Sequence, residues 1–365
     1  MNKYVKRYLI DAMSGMAQGL FASLLIGTII KTLGSQLLKI PQSMDESTFQ
    51  LMLTQAFNFL VTAGTFAMNA NVVGAAMGIG IANAMKVDPL VLFSTAVAGA
   101  AANVTCGAGG PLAVLVIAIV SAEVGQLVSK KTKVDIIVTP LVTILAGSLL
   151  TVLTAKYIGD AAASIGKLVM WATELQPFWM GIIVSAIIGI ALTLPISSAA
   201  ICAAFGLTGL AGGAAVAGCC AQMVGFAVMS YKENKTSGLL SQGLGTSMLQ
   251  MPNIIKNPLI WIPPTVASMI TGPIATCIFK MEMNGAPISS GMGTCGLVGP
   301  IGVITGWLEP SAKAVENGAS AINPGWFQWL GLVLVCFALP ALISWALGLL
   351  FRKLGWIKEG DLTLA

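Results

Sequence analysis

The sequence predicts an all-α, polytopic membrane protein. Three observations carry that expectation: only 9% of the 365 residues are charged, 56% are hydrophobic, and the apolar residues fall in long runs. A soluble domain gives about a quarter of its residues to charge, because its surface faces water. This chain has too few charges to clothe a globule of its size. In hydrocarbon every backbone polar group needs a partner within the protein, which a helix supplies locally. About 20 apolar residues cross a bilayer as a helix. A transmembrane β-barrel would show short segments of alternating apolar and polar residues, and these runs do not alternate.

The elements follow in chain order. Lys3, Lys6 and Arg7 precede a long apolar run at 12–38 that shows no convincing cleavage site, so it reads as a retained first helix. Further apolar runs lie at 50–67, 70–86, 88–105, 110–129, 135–157, 177–195, 198–230, 243–255, 258–280, 286–307 and 326–351. They suggest about ten spans. The runs around 88–110 and 286–307 are rich in glycine and proline, and read as two re-entrant hairpins. Irregular backbone at membrane depth is tolerated where protein or a cavity surrounds it. Asp160, Lys167 and Glu174 interrupt 159–176, which reads as an interfacial amphipathic helix. It joins a first transmembrane repeat, 1–158, to a second, 177–365.

Two echoes between the halves support a duplication. Asn83-Ala84-Met85-Lys86-Val87-Asp88-Pro89-Leu90 is matched by Asn253-Ile254-Ile255-Lys256-Asn257-Pro258-Leu259. Thr105-Cys106-Gly107-Ala108-Gly109-Gly110-Pro111 is matched by Thr294-Cys295-Gly296-Leu297-Val298-Gly299-Pro300, a shared T-C-G-x-x-G-P. Each is followed by a lone acidic residue, Glu123 and Glu309. Lys130, Lys131 and Lys133 mark the loop after Glu123 as cytoplasmic. The loop after Glu309 has only Lys313, offset by Glu316, so the repeats are expected to be inverted. Both termini then lie in the cytoplasm of a bacterium, beneath its plasma membrane. The loop with Lys232, Glu233 and Lys235 fits this scheme poorly, because it falls outside.

At Thr139-Pro140-Leu141-Val142-Thr143-Ile144-Leu145-Ala146-Gly147, Asn257-Pro258-Leu259, Ala286-Pro287 and Ser290-Gly291-Met292-Gly293, most of the chain resembles a known family. It is similar to the membrane (IIC) component of bacterial sugar phosphotransferase systems, and more closely to the IIC-like family that includes the perfringolysin O regulator. The resemblance implies a homodimeric transporter-like fold with helical hairpins around a central site for a polar solute. It also implies soluble phosphotransferase components as partners. Glu309-Pro310 is a weak match to the glutamate-proline motif of the glucose type. A histidine found in several IIC families has no counterpart, and no phosphocysteine or phosphohistidine domain is fused to the chain.

The residues expected to meet the solute are Asn103, Thr105, Cys106, Gly107, Thr294, Cys295, Gly296 and Glu309. Glycine lets a backbone approach a ligand closely, and a broken helix turns free amides and carbonyls toward a cavity. The alternative is a tight helix crossing, where small residues are favoured anyway. Glu123 and Glu309 are the candidates for coupling or proton carriage, because an intramembrane carboxylate marks function by default. Each could instead face water near a helix end. Histidine is absent, which removes the usual neutral-pH proton shuttle and the commonest metal ligand. The seven cysteines lack metal-ligand spacing. No cofactor, metal, nucleic acid or enzymatic activity is expected. The expected function is alternating-access transport of a small polar solute, not coupled to phosphorylation by the chain's own residues. The rival is a membrane sensor that binds a ligand without moving it.

Overall fold

The computed structural model describes Tyr4, 6–42 and 48–364. Lys3 of the basic N-terminal cluster lies outside the described residues. Among them there is no strand, only an isolated bridge between Gly209 and Met283. The chain is all-helical, as the composition requires.

The helices are α1 (Lys6–Pro41), α2 (Thr48–Ala67), α3 (Ala70–Ala84), α4 (Pro89–Thr105), α5 (Gly110–Val128), α6 (Asp135–Thr173), α7 (Pro177–Thr193) and α8 (Ser198–Ala204). They continue as α9 (Gly209–Met229), α10 (Tyr231–Leu240), α11 (Met251–Lys256), α12 (Pro258–Ile278), α13 (Val298–Leu308), α14 (Ala312–Glu316) and α15 (Trp326–Lys353). Among the described residues, six are long and apolar enough to cross a membrane: α1, α5 with its leading turn, α6, α9, α12 and α15. The count is seven if α2 and α3, bent by 56° at their junction, form one span. Several of the remaining apolar runs break where glycine or proline ends a helix. The 198–230 run, for example, splits into α8 and α9 at Gly206 and Gly209, which have φ of +60° and +64°.

The region 159–173 continues α6 without a break. Its Ala162, Gly166, Val169 and Ala172 are buried, while Asp160 and Lys167 are exposed. Leu168, Met170 and Trp171 are exposed on the same stretch, which forms the second half of one long helix.

Packing rests on small residues. A Cβ added to Gly15 of α1 would stand 2.1 Å from the Gly80 carbonyl of α3. Van der Waals contact between closely approaching backbones holds helices together in lipid, where no hydrophobic force acts between them. The axis of the bundle is α9, buried along nearly its whole length. Its Gly218 lies so close to α7 that a Cβ there would sit 1.9 Å from the Ser185 carbonyl.

Four ion pairs join segments distant in the chain. Lys130 pairs with Asp88, Arg7 with Glu123 at 2.8 Å, Lys232 with Glu359 at 3.0 Å, and Arg352 with Glu233 at 2.7 Å. The loop with Lys232 and Glu233, which looked misplaced in the sequence, therefore meets the C-terminal segment. That segment is tied down by side-chain amides. Gln250 donates to the Leu362 carbonyl at 2.9 Å, Asn253 to the Thr363 carbonyl at 2.8 Å, and Asn257 to the Trp356 carbonyl at 2.8 Å. Asn234 donates to Leu362 and accepts from the Leu364 amide.

The Asp88 contacts predict a pH response. The Lys130 ammonium, then the Gln126 amide and the Ser129 hydroxyl, hold the Asp88 carboxyl below its usual range. A depressed carboxylate pKa stabilises the fold above the unfolded value, and the gain is lost as pH falls through the folded value. The melting temperatures of wild type and Asp88→Asn should thus differ at neutral pH and begin to converge only as the pH falls below about 4, toward the depressed folded value.

Candidate functional site

Both T-C-G-x-x-G-P segments turn at their shared glycine, the second with a further left-handed residue at Leu297. Each forms a short 3-10 turn, Gly107–Gly109 or Cys295–Leu297, that leads into a helix carrying the motif's proline. In each the third residue is left-handed, Gly107 at φ +54° and Gly296 at φ +52°. A residue without Cβ takes that conformation readily, which is the physical content of the shared glycine.

A third segment, Leu194-Pro195-Ile196-Ser197-Ser198, touches both motif regions. The Ser197 amide donates to the Ala108 carbonyl of the first motif at 2.9 Å. The Ser198 hydroxyl donates to the Gly291 carbonyl, just before the second motif, at 2.7 Å. The Ser197 hydroxyl accepts from the Ala200 amide and caps α8. Pro111, Ser197, Ser198, Thr246, Met292 and Cys295 help to line a small interior cavity of about 60 Å³. A space of that size holds a few waters.

The expected solute contacts are dispersed. Thr294 is fully buried, donates to the Gly243 carbonyl at 2.5 Å and lies 3.6 Å from the Met223 sulfur. Cys295 is buried and faces the small cavity, while Gly296 is partly buried beside Ile29. In the first copy, Cys106 is buried in the apolar core, and Asn103 donates to the Ala70 carbonyl at 2.8 Å. Thr105 is exposed, with its hydroxyl turned back to the Ala101 carbonyl at 2.7 Å. Gly107 is exposed with open space around it. Glu123 is held by Arg7 and by the Tyr8 hydroxyl at 3.1 Å. Glu309 is exposed at the C-terminal end of α13. Neither glutamate lines the small cavity or the two larger ones described below, and Thr294 does not either.

Buried polar residues, of which only Asn253 stood out in the sequence, form two connected arrays. In one, Gln222 of α9, fully buried, donates to the Thr265 hydroxyl at 3.1 Å. It accepts from the Trp261 indole at 3.0 Å and from Thr193 at 3.3 Å. Thr193 in turn lies 2.8 Å from the Ser247 hydroxyl. In the other, Asn253 donates to Gln250, Gln250 to Gln242 and Gln242 to Ser230, at 2.9, 2.9 and 2.7 Å. Buried amides are expensive in an apolar interior unless fully partnered. A lone glutamine in each apolar run was the only signal available in the sequence.

Two larger cavities open at opposite ends of α12, a 21-residue helix about 30 Å long. At its start, with Lys256, lies a space of about 660 Å³ that also reaches Lys6, Asn83, Lys86 and Thr363. At its end, with Ile278 and Phe279, lies a cleft of about 480 Å³ bounded by Glu282, Trp307, Phe327 and Gln328. The Trp307 ring packs edge-on against Trp329 with centroids 5.2 Å apart. The larger cavity and the small interior one are adjacent along the chain, with Leu249 lining the first and Met248 the second.

The family model for the phosphotransferase system EIIC component matches residues 10–364. The chain belongs to this EIIC family. EIIC proteins are the membrane transport components for sugar-like substrates and are not catalytic by themselves, and the match places this one in the bacterial plasma membrane. No curated protein and no solved structure matches the chain. The EIIC assignment covers nearly every element described above, including both motif turns and, apart from Lys6, the lining of both large cavities.

Proposed function

We propose that this EIIC protein carries a small, polar, sugar-like solute by alternating access, with both termini in the cytoplasm. The observation behind this reading is the pair of cavities at opposite ends of α12, with a small, mostly apolar cavity beside the larger one. The 480 Å³ cleft offers aromatic faces beside a carboxylate and amides, groups suited to the apolar faces and hydroxyls of a sugar. In the interior, Thr294, Ser198 and Gln222 can exchange their protein partners for solute hydroxyls. Since the cavity between the motif segments has room for only a few waters, passage requires the segment 194–199 to move relative to one or both motif turns. Glycine turns and half-helices are suited to such movement.

The first-copy residues Asn103, Thr105, Cys106 and Gly107 belong to the moving turn in this scheme. Glu123, tied to Arg7, anchors α5 to α1, and Glu309 is a proton-carrying candidate on the far side. Phosphoryl transfer, if it accompanies transport, would come from soluble phosphotransferase components docking on the basic face with Lys130 and Lys256. The exposed Leu141, Leu145 and Leu149 of α6 supply an apolar face for lipid or for the second copy of a homodimer.

The test is uptake of radiolabelled neutral sugars and polyols into liposomes containing the purified protein, with melting temperatures measured alongside. A transported solute should raise the melting temperature by mass action. Thr294→Val, Ser198→Ala and Gln222→Leu should each weaken binding about tenfold or more, as expected when a hydrogen bond to the solute is lost. Binding without accumulation would favour a ligand sensor, and no binding across the panel would overturn the reading.

A further inference from the structure

The 660 Å³ cavity has a chemistry that transport of a neutral solute does not use. The first echo between the halves opens with Asn83 and carries Lys86, and the second opens with Asn253 and carries Lys256. The fold brings all four to this one space, beside Lys6 of α1. Three lysines thus line a space with Asp11, the single carboxylate among the described lining residues. None of the three lysines takes part in an ion pair among the described residues. The Lys256 ammonium donates to the Asn253 side-chain oxygen at 3.3 Å. The Asn253 amide is itself committed to Gln250 and to the Thr363 carbonyl, which fixes that oxygen toward the lysine. Asn83, Ser14 and Gln18 add neutral donors around the rim.

Like charges confined in a cleft raise its potential and concentrate anions there. A lysine ammonium binds phosphate as a point charge from several directions. We propose that this cavity binds a phosphoryl-bearing anion, a phosphate monoester held by Lys6, Lys86 and Lys256 with Asn83 as a neutral donor. The site stands whether or not the chain moves a neutral sugar. Two sources share the chemistry, a soluble phosphate ester and the headgroup of an anionic lipid.

The experiment measures binding to the full chain in phosphatidylcholine nanodiscs, with inorganic phosphate and glucose 6-phosphate as probes and glucose as the uncharged control. Both anions should raise the melting temperature. The double variant Lys86→Gln/Lys256→Gln should weaken them about tenfold or more, while Lys86→Arg/Lys256→Arg should retain binding. Both lysines are exposed, so circular dichroism and gel filtration of the variants should match wild type. A parallel series in nanodiscs containing phosphatidylglycerol separates the sources. Stabilisation by that lipid alone, lost in the glutamine double variant, assigns the site to a headgroup. Absence of any anion effect, or affinity unchanged in the glutamine double variant, overturns the proposal. Sugar uptake failing while anion binding persists removes the carrier reading and leaves this site intact, and the reverse result removes only this site.

Discussion

Replacing Gly218 by valine is expected to abolish recovery of folded protein. A Cβ at that position would stand 1.9 Å from the Ser185 carbonyl and 2.5 Å from its carbon. Backbone atoms cannot rotate away as a side chain can, so α7 and α9 would have to separate. Overpacking of a close-packed interior costs about 1–3 kcal/mol when side chains can adjust, and a backbone clash along the central helix should exceed that. Gly159→Ala is the control. It lies inside α6, where an added Cβ meets nothing nearer than the Cys106 carbonyl at 3.9 Å. Alanine is the better helix former, so this variant should melt at or slightly above the wild-type temperature. Gel filtration and melting curves in detergent read both outcomes. If Gly218→Val is recovered as readily as Gly159→Ala, the close α7–α9 crossing is wrong.

Arg352→Met should destabilise nearly as severely. Arg352 reaches Glu233 at 2.7 Å and the Met229 carbonyl at 3.2 Å. The Glu233 side chain is only 5% exposed, and its second carboxylate oxygen is buried without a hydrogen-bond partner. Removing one member of a buried pair strands the other charge, at a cost of about 3–5 kcal/mol. The double variant Arg352→Met/Glu233→Gln removes the stranded charge and should recover most of the loss. A double-mutant cycle on melting temperatures reads the coupling, and equal, additive losses would show that the two side chains do not depend on each other.

Much of the fold was legible because bilayer chemistry constrains composition so strongly. The helical class, the position of nearly every helix and the turn made by both T-C-G-x-x-G-P segments follow from apolar runs and from glycine. The number of spans was not legible, because runs such as 198–230 divide at glycines whose backbone angles no hydropathy profile records. Gly159 and the charges after it suggested a boundary, yet α6 runs through them, since one helical glycine costs only about 1 kcal/mol. The site was less legible still. Glu123 looked like an isolated carboxylate, and its partner Arg7 lies more than a hundred residues away in the chain. Gln222 and Gln250 each sit alone in an apolar run, and nothing local says that their amides meet other polar groups. The two asparagine–lysine echoes were visible as sequence, but their convergence on one cavity required the three-dimensional path.

The side chains that hold the C-terminal segment also impose an order on biosynthesis. Gln250, Asn253 and Asn257 reach the membrane roughly a hundred residues before 356–364 have been synthesised, and Asn234 earlier again. Until then their amides have no carbonyl from that segment to grip, and the wall supplied by Gly360 and Thr363 does not exist. The large basic cavity is thus finished after the helices around it have inserted, so the protein cannot use it while its own chain is still emerging from the ribosome.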